Sequence, residues 1–153
     1  MRVIKKNKKG LFDYEIIDTL DAWIILSWHE VKSIKLWNIQ ISDSHIKIDH
    51  QWNLMLYNLN IPRYAFTAPS IVPWYNPKQA RTLLVTKKQR TRLYERTRKT
   101  GLIMIPTKIR ESKSGFIKVT IALAKRKKKV QKRSIIKDRD TARQMDKAIK
   151  NLR

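Results

Sequence analysis

The stretch "LIMIPTKIRESKSGFIKVTIALAKRKKK" (Leu102 to Lys129) decides how this chain folds and how it is organised. Two apolar runs, "LIMIPTKI" (Leu102 to Ile109) and "FIKVTIALA" (Phe116 to Ala124), have the β-branched content of strands, and "RESKSG" between them has the Ser and Gly of a hairpin turn. The second run passes without a linker into lysines and arginines. From Lys125 to Arg153 the chain carries thirteen Lys/Arg against Asp138, Asp140 and Asp146, a net +10. A strand needs a partner sheet, whereas a run this charged cannot bury itself and needs an anionic partner. The chain therefore divides into a folded domain, residues 1–124, and a basic tail, residues 125–153.

The whole chain has 153 residues and a formal net charge of +23, so removing the tail's +10 leaves +13 on residues 1–124. That part is long enough for one domain with a core of ordinary size. A surplus on this scale points to a polyanion, either nucleic acid or an anionic membrane. No run of about 18 apolar residues is present to span a bilayer. The opening "MRVIKKNKKG" is basic but lacks a following apolar segment, so it does not read as a secretory signal. Cysteine is absent, which excludes disulfides, thiolate metal sites and a Cys nucleophile and fits a reducing compartment such as the cytoplasm. Nucleic acid is the leading partner.

Upstream of the hairpin, "DYEII" (Asp13 to Ile17) and "AWIILS" (Ala22 to Ser27) flank "DTLD" and read as another hairpin. Ser27 and Glu30 form a capping box that opens a short helix with Val31, Ile34 and Leu36 inward. "HIKID" (His45 to Asp49) and "WNLMLYNLNI" (Trp52 to Ile61) are strands, the second more continuously apolar. Pro62 to Pro77 lack periodicity and form a surface loop, and "TLLV" (Thr82 to Val85) is a short strand. A second capping box, Thr86 with Gln89, starts a helix over Lys87 to Lys99 with Leu93 inward and Gly101 at its end. Strands dominate. The fold predicted is mainly β: an OB-like antiparallel barrel with two or three short helices and a basic C-terminal tail that orders on RNA.

Catalysis finds no residues to rest on. His29, His45 and His50 lack metal-ligand spacing and read as exposed polar filler; no serine sits in a nucleophile motif, and three glycines cannot build a phosphate-cradling loop. No catalytic residue, metal site or cofactor is predicted. Glu30 is a capping acid. Asp21 has two readings, a hairpin-turn carboxylate or an acceptor for base and ribose edges, and the residues alone favour the turn. Trp23 and Trp52, within apolar strands, read as core or cross-strand packing; Trp74, in the proline-spotted loop, is the tryptophan to test for base stacking.

Two basic elements stand out. The helix "KKQRTRLYERTRK" sets Lys87, Lys88, Arg90, Arg92, Arg96, Arg98 and Lys99 against Glu95, a one-sided face that favours phosphate contact. In the tail, about 100° per residue places Ile135, Ala142, Met145, Ile149 and Leu152 on one stripe, beside Lys132, Arg139, Arg143, Lys147 and Lys150. This thin apolar stripe predicts a helix that charge repulsion keeps largely unfolded until it meets RNA. A membrane-surface helix fits less well, because the stripe has no Trp or Phe anchor.

In order and spacing, "NKKGLFDYEI", "EVKSIK", "SDSHI", "RTLLVTKK", "KTGLIMIP" and "IKVTIALAKRKKK" with "VQKRSIIKDRD" resemble the small protein B family, the SsrA (tmRNA)-binding proteins of bacterial trans-translation. The resemblance spans nearly the whole chain. It implies an OB-type barrel whose tail is unstructured in the free protein. It also implies binding to the tRNA-like part of tmRNA and delivery of that RNA to ribosomes stalled without a stop codon. The partners implied are tmRNA and the ribosomal small subunit with its 16S rRNA, with no membrane, for a monomeric cytoplasmic protein.

The family's RNA-contacting Asn falls on Asn7, its acidic position (usually Glu) on Asp21, and its apolar contact on Leu84. Lys8, Lys9, Lys32, Arg81 and Lys87 complete the expected tmRNA-binding set. The decoding-centre motifs fall on Lys127, Lys128, Lys132 and Arg133, with Lys125, Lys137, Arg139 and Arg143 in the same mRNA-channel tail.

The chain also departs from the family. Trp23, Trp28, Trp37 and Arg126 occupy positions where the family typically has Gly, which predicts local strain or remodelling. Val130 and Gln131 replace an aromatic or His followed by Asp, leaving the tail its electrostatics without stacking. The alternative function is a ribosomal-protein-like structural binder of rRNA.

Overall fold

A computed structural model describes residues 1–152, apart from the side chain of Val130. Of the tail's basic residues, Arg153 lies outside the described residues, and the Val130 departure falls on an undescribed side chain. In order, the elements are β1 (Arg2–Lys6), α1 (Lys8–Leu11), β2 (Tyr14–Ile24), α2 (Trp28–Lys35), β3 (His45–Ile48), β4 (Leu54–Tyr57) and β5 (Arg81–Leu84). They continue with α3 (Lys87–Thr100), β6 (Ile103–Glu111), β7 (Ile117–Arg126) and α4 (Lys129–Asn151).

The strands pair antiparallel in the order β6-β3-β4-β5-β2-β7, and β7 returns to β6, closing an OB-like barrel; β1 adds to the free end of β6. The closing seam is thin on one side, where β3 meets β6 only at Ile46 and Met104. On the other side β6 and β7 pair from Ile103–Ala124 to Glu111–Ile117, as the hairpin reading predicts. The register shifts after Pro106, a residue with no N–H to offer the ladder. Ile34, Leu56, Ile109, Val119 and Ile121 meet inside and are fully buried.

The helix signals are local, and the structure keeps both helices. α3 begins on Thr86, whose Oγ1 accepts from the Gln89 N–H at 3.2 Å, buries Leu93, and ends on Gly101 at φ 63°. α2 begins on Ser27 with Glu30 reaching back to it, but Leu36 lies beyond the helix and is exposed. The chain turns there through Trp37 at φ 65°, the left-handed conformation in which a Cβ is strained. Of the four family-glycine positions, Trp37 alone takes that conformation.

Several expectations need correction. Asp13 to Ser27 contain no hairpin: β2 is one 11-residue strand, paired with β7 from Tyr14–Arg126 to Trp23–Lys118. "DTLD" keeps the alternation of a strand, with Leu20 inward and Thr19 and Asp21 outward, after a bulge between Ile16 and Asp18. β1 carries no strand signal in the sequence, because Ile4 is its only fully buried residue among lysines and an arginine. β4 is confined to Leu54–Tyr57, bracketed by Trp52 (φ 65°) and Asn58 (φ 58°); Leu59 and Ile61 are buried from a loop. β7 runs past Ala124 to Arg126, so Lys125 and Arg126 still pair with Glu15 and Tyr14.

Among the described residues, no helix is long and apolar enough to cross a membrane.

Candidate nucleic-acid interface

The outward residues of β5, β2, β7 and β6 form two rungs across the barrel. One runs Asp21–Thr120–Lys108 and the other Leu84–Trp23–Lys118–Arg110. Strand alternation puts Asp21 and Trp23 on the same face. The Thr120 hydroxyl donates to Asp21 Oδ1 at 2.7 Å, and the Arg110 guanidinium bonds Oδ2. Partial burial pushes the Asp21 carboxyl up, but the hydrogen bonds from Thr120 and Arg110 and the charges of Arg110 and Lys118 outweigh it and hold it below the ordinary carboxylate value. The result is an ionised, 40 % exposed carboxylate in a basic field, able to accept hydrogen bonds from a ligand.

A shallow cleft lined by Lys6, Lys8, Thr19, Lys108 and Thr120 joins this face to α1. Asn7 caps α1: its Oδ1 accepts from the Gly10 N–H, and its Nδ2 donates to the Pro106 carbonyl, both at 2.9 Å. A Cβ on Gly10 would lie 2.5 Å from Asn7 Oδ1 and 2.7 Å from the Ser42 carbonyl, so the turn requires glycine. Asn7 is 1 % exposed, which corrects its expected place as a direct contact: the groups at the surface are Lys8 and Lys9, and Asn7 holds their turn.

Arg81 is the second correction. Only 3 % exposed, it donates from Nε to Glu30 Oε1 at 2.8 Å and from its two Nη to the carbonyls of Leu59 (2.5 Å), Gln79 (3.0 Å) and Pro77 (2.9 Å). Glu30 also accepts from the Ser27 N–H at 2.9 Å and from Tyr75 and Gln79 at 3.2 Å. Burial pushes Glu30 up, yet the Ser27 N–H and the Arg81 charge hold it below its ordinary value; burial and the Glu30 charge push Tyr75 up to about 12. Arg81 thus clamps the proline-spotted loop to α2, and its sequence signal is indistinguishable from that of a phosphate-binding arginine. His29 is likewise buried, Nε2 2.9 Å from Ser27 Oγ and its ring edge-on to Tyr75, so it is not exposed filler.

Lys32, Lys87 and Leu84 are exposed. On α3 the charges divide by residue type. Arg92 and Arg96 both reach Asp18 Oδ2 at 2.8 Å, and Arg90 donates to the Trp52 carbonyl at 2.6 Å. Lys87, Lys88 and Lys99 make no ion pair among the described residues. Of the two readings of Trp23, core or cross-strand packing, the structure has the second: it is outward, 40 % exposed and pairs with Leu84 and Lys118, and Trp52 packs on Tyr94 at the surface. Trp74 is 94 % exposed.

α4 leaves the barrel beside α1. Lys132 Nζ meets Asp13 Oδ1 at 2.8 Å, and that hydrogen bond holds Asp13 below its ordinary value; the Arg139 guanidinium lies 5.0 Å from the centre of the Phe12 ring. Lys125, Lys128, Arg133, Lys137 and Arg143 are exposed, and Lys127 is half-buried, 5.9 Å from the Phe12 ring. Met145, Ile149 and Leu152 of the apolar stripe are also exposed.

Comparison with known proteins assigns this architecture to a family. The family model for SmpB protein matches residues 4–151. An SsrA-binding protein of Oceanobacillus iheyensis is 40 % identical over 152 residues, covering 98 % of this chain and 94 % of the relative. One from Thermosipho africanus is 39 % identical over 153 residues, all of both chains. A solved chain from the work "tmRNA-SmpB: a journey to the center of the bacterial ribosome" superposes with a TM-score of 0.64 at 31 % identity, covering 82 % of this chain and 85 % of that one. The chain belongs to the SmpB family.

Proposed function

We propose that the chain is a non-enzymatic adaptor that binds the tRNA-like part of tmRNA and delivers it to stalled ribosomes for trans-translation. The observation that carries the reading is the outer β2–β7–β6 face, where one ionised carboxylate, Asp21, stands among Lys108, Arg110 and Lys118. Cations supply sequence-independent affinity for phosphate, and a fixed acceptor among them supplies discrimination of base or ribose edges. The SmpB family match and the tmRNA named for the solved relative support the assignment. Lys8, Lys9, Lys32 and Lys87 contact phosphates, Leu84 gives an apolar contact, and Asn7 and Arg81 hold the loops that present them.

The tail, residues 125–153, acts on the ribosome. Lys125, Lys127, Lys128, Lys132, Arg133, Lys137, Arg139 and Arg143 enter the decoding centre and the empty mRNA channel, facing 16S rRNA. In the free chain residues 129–151 already form α4, held to the barrel at Asp13 and Phe12, and the polyanion stabilises that helix further by removing the self-repulsion of its charges. The protein works as a cytoplasmic monomer. Gel shifts against tmRNA with a tRNA competitor check the barrel's choice of RNA. A preference for tmRNA is expected, with a log–log salt slope of roughly −0.7 to −0.9 per neutralised phosphate. Deleting residues 129–153, which spares β7, leaves tmRNA binding nearly intact and abolishes tagging on stalled ribosomes. Loss of tmRNA binding on that deletion overturns the division of labour.

A further inference from the structure

We infer that Trp23, with Phe116 and Lys118, is a stacking platform for an unpaired RNA base beside Asp21; this deepens the tmRNA-binding reading and rests on it. Trp23, Leu84 and Phe116 are 40 %, 50 % and 67 % exposed, an apolar patch on the same face as the Asp21 rung. Trp23 pairs across strands with Leu84 on one side and Lys118 on the other. The Phe116 ring meets it edge-on at 6.1 Å and 84°, and Lys118 Nζ lies 4.1 Å from its ring centre. Braced on two sides, the indole has little rotamer freedom left to lose when a ligand lands on it.

The surroundings select the ligand. Lys118 and Arg110 border the patch, so a second copy of this +23 chain is repelled, and a neutral apolar partner would have to desolvate those cations. A planar base linked to phosphates satisfies both features: the base takes the indole face opposite the one that Lys118 Nζ covers, while Lys118 meets the adjoining phosphate. Asp21 then reads an edge of the same or a neighbouring nucleotide.

The test uses the full chain with two probes, tmRNA and an unstructured U-rich oligonucleotide. Trp23→Thr keeps a strand-forming residue and removes the ring, Trp23→Phe keeps a ring, and Phe116→Ala removes the brace from outside β7. Stacking is worth about 1–3 kcal/mol per base. Trp23→Thr should therefore weaken binding of both probes by roughly 5- to 150-fold with an unchanged salt slope. Trp23→Phe should recover most of that loss, and Phe116→Ala should show a smaller one. Lys118→Gln, by contrast, should flatten the slope by about one. Wild-type affinity for both probes in Trp23→Thr, or a slope change equal to that of Lys118→Gln, overturns the platform. A Trp23→Thr defect on the oligonucleotide in a chain that shows no preference for tmRNA over tRNA keeps the platform and fells the adaptor reading. If Trp23→Thr fails to fold, Phe116→Ala decides: no loss of affinity rejects the platform.

Discussion

Two carboxylate–guanidinium pairs in this chain have the same chemistry and opposite uses. Glu30 and Arg81 lie at 2.7 Å with side chains only 3 % and 2 % exposed, and each also bonds several protein groups. Asp21 and Arg110 pair on the outer face with side chains 40 % and 17 % exposed. In both, the carboxyl is held below its ordinary value against the upward push of burial. In the first pair all the binding capacity is used internally, so the pair is part of the framework. In the second, each carboxylate oxygen accepts a single bond, and a 40 % exposed side chain in a basic surround leaves capacity for a ligand. Titration alone would not tell them apart; accessibility does.

Breaking the inner pair has the largest effect. Arg81→Ala leaves a buried carboxylate uncompensated and should cost about 3–5 kcal/mol, measured by denaturant unfolding. The same pair contributes to the acid limb of stability. Because the Glu30 pKa is lower folded than unfolded, its contribution is present above the ordinary carboxylate range and fades as pH falls through the folded value. Glu30→Gln should flatten that limb in melts from pH 7 to 3. An unaltered acid limb would mean that the pair does not stabilise the fold.

Smaller effects sharpen the contrast. Gly10→Ala drives a methyl group into Asn7 and the Ser42 carbonyl and should cost about 1–3 kcal/mol, with α1 and hence Lys8 and Lys9 displaced. Trp37→Gly removes a left-handed side chain and should raise stability by about 1 kcal/mol in thermal melts. Asp21→Asn should move stability by less than about 1 kcal/mol, as for exposed pairs, while weakening tmRNA in a gel shift. A large fall in stability there would make Asp21 a second Glu30 and remove it from the interface.

Much of the fold is legible along the chain because its signals are local. Thr86, Gln89 and Gly101 bound α3 by capping alone, and the β6–β7 hairpin follows from two apolar runs and a polar turn. The interface is less legible. Asp21 looks like a turn residue because "DTLD" has turn composition, and only its pairing with Thr120, 99 positions away, makes it part of a strand. Trp23 looks like core because it sits among apolar neighbours, yet strand alternation from the buried Ala22 and Ile24 turns it outward. β1 carries too many lysines to signal a strand, although its Ile4 is buried.

By itself the sequence determined the class of fold, the ends of α3, the basic surplus and the concentration of that surplus after β7. These rest on composition, capping and periodicity, which act over a few residues. The tertiary structure decided which of several similar residues serve the framework and which the surface. Arg81 is withdrawn into a loop clamp, Asn7 into a cap, and Asp21 and Trp23 are set out on the barrel wall. Those fates depend on which strands become neighbours when the ring closes, and closure brings together residues 51 and 99 positions apart whose pairing no local pattern encodes.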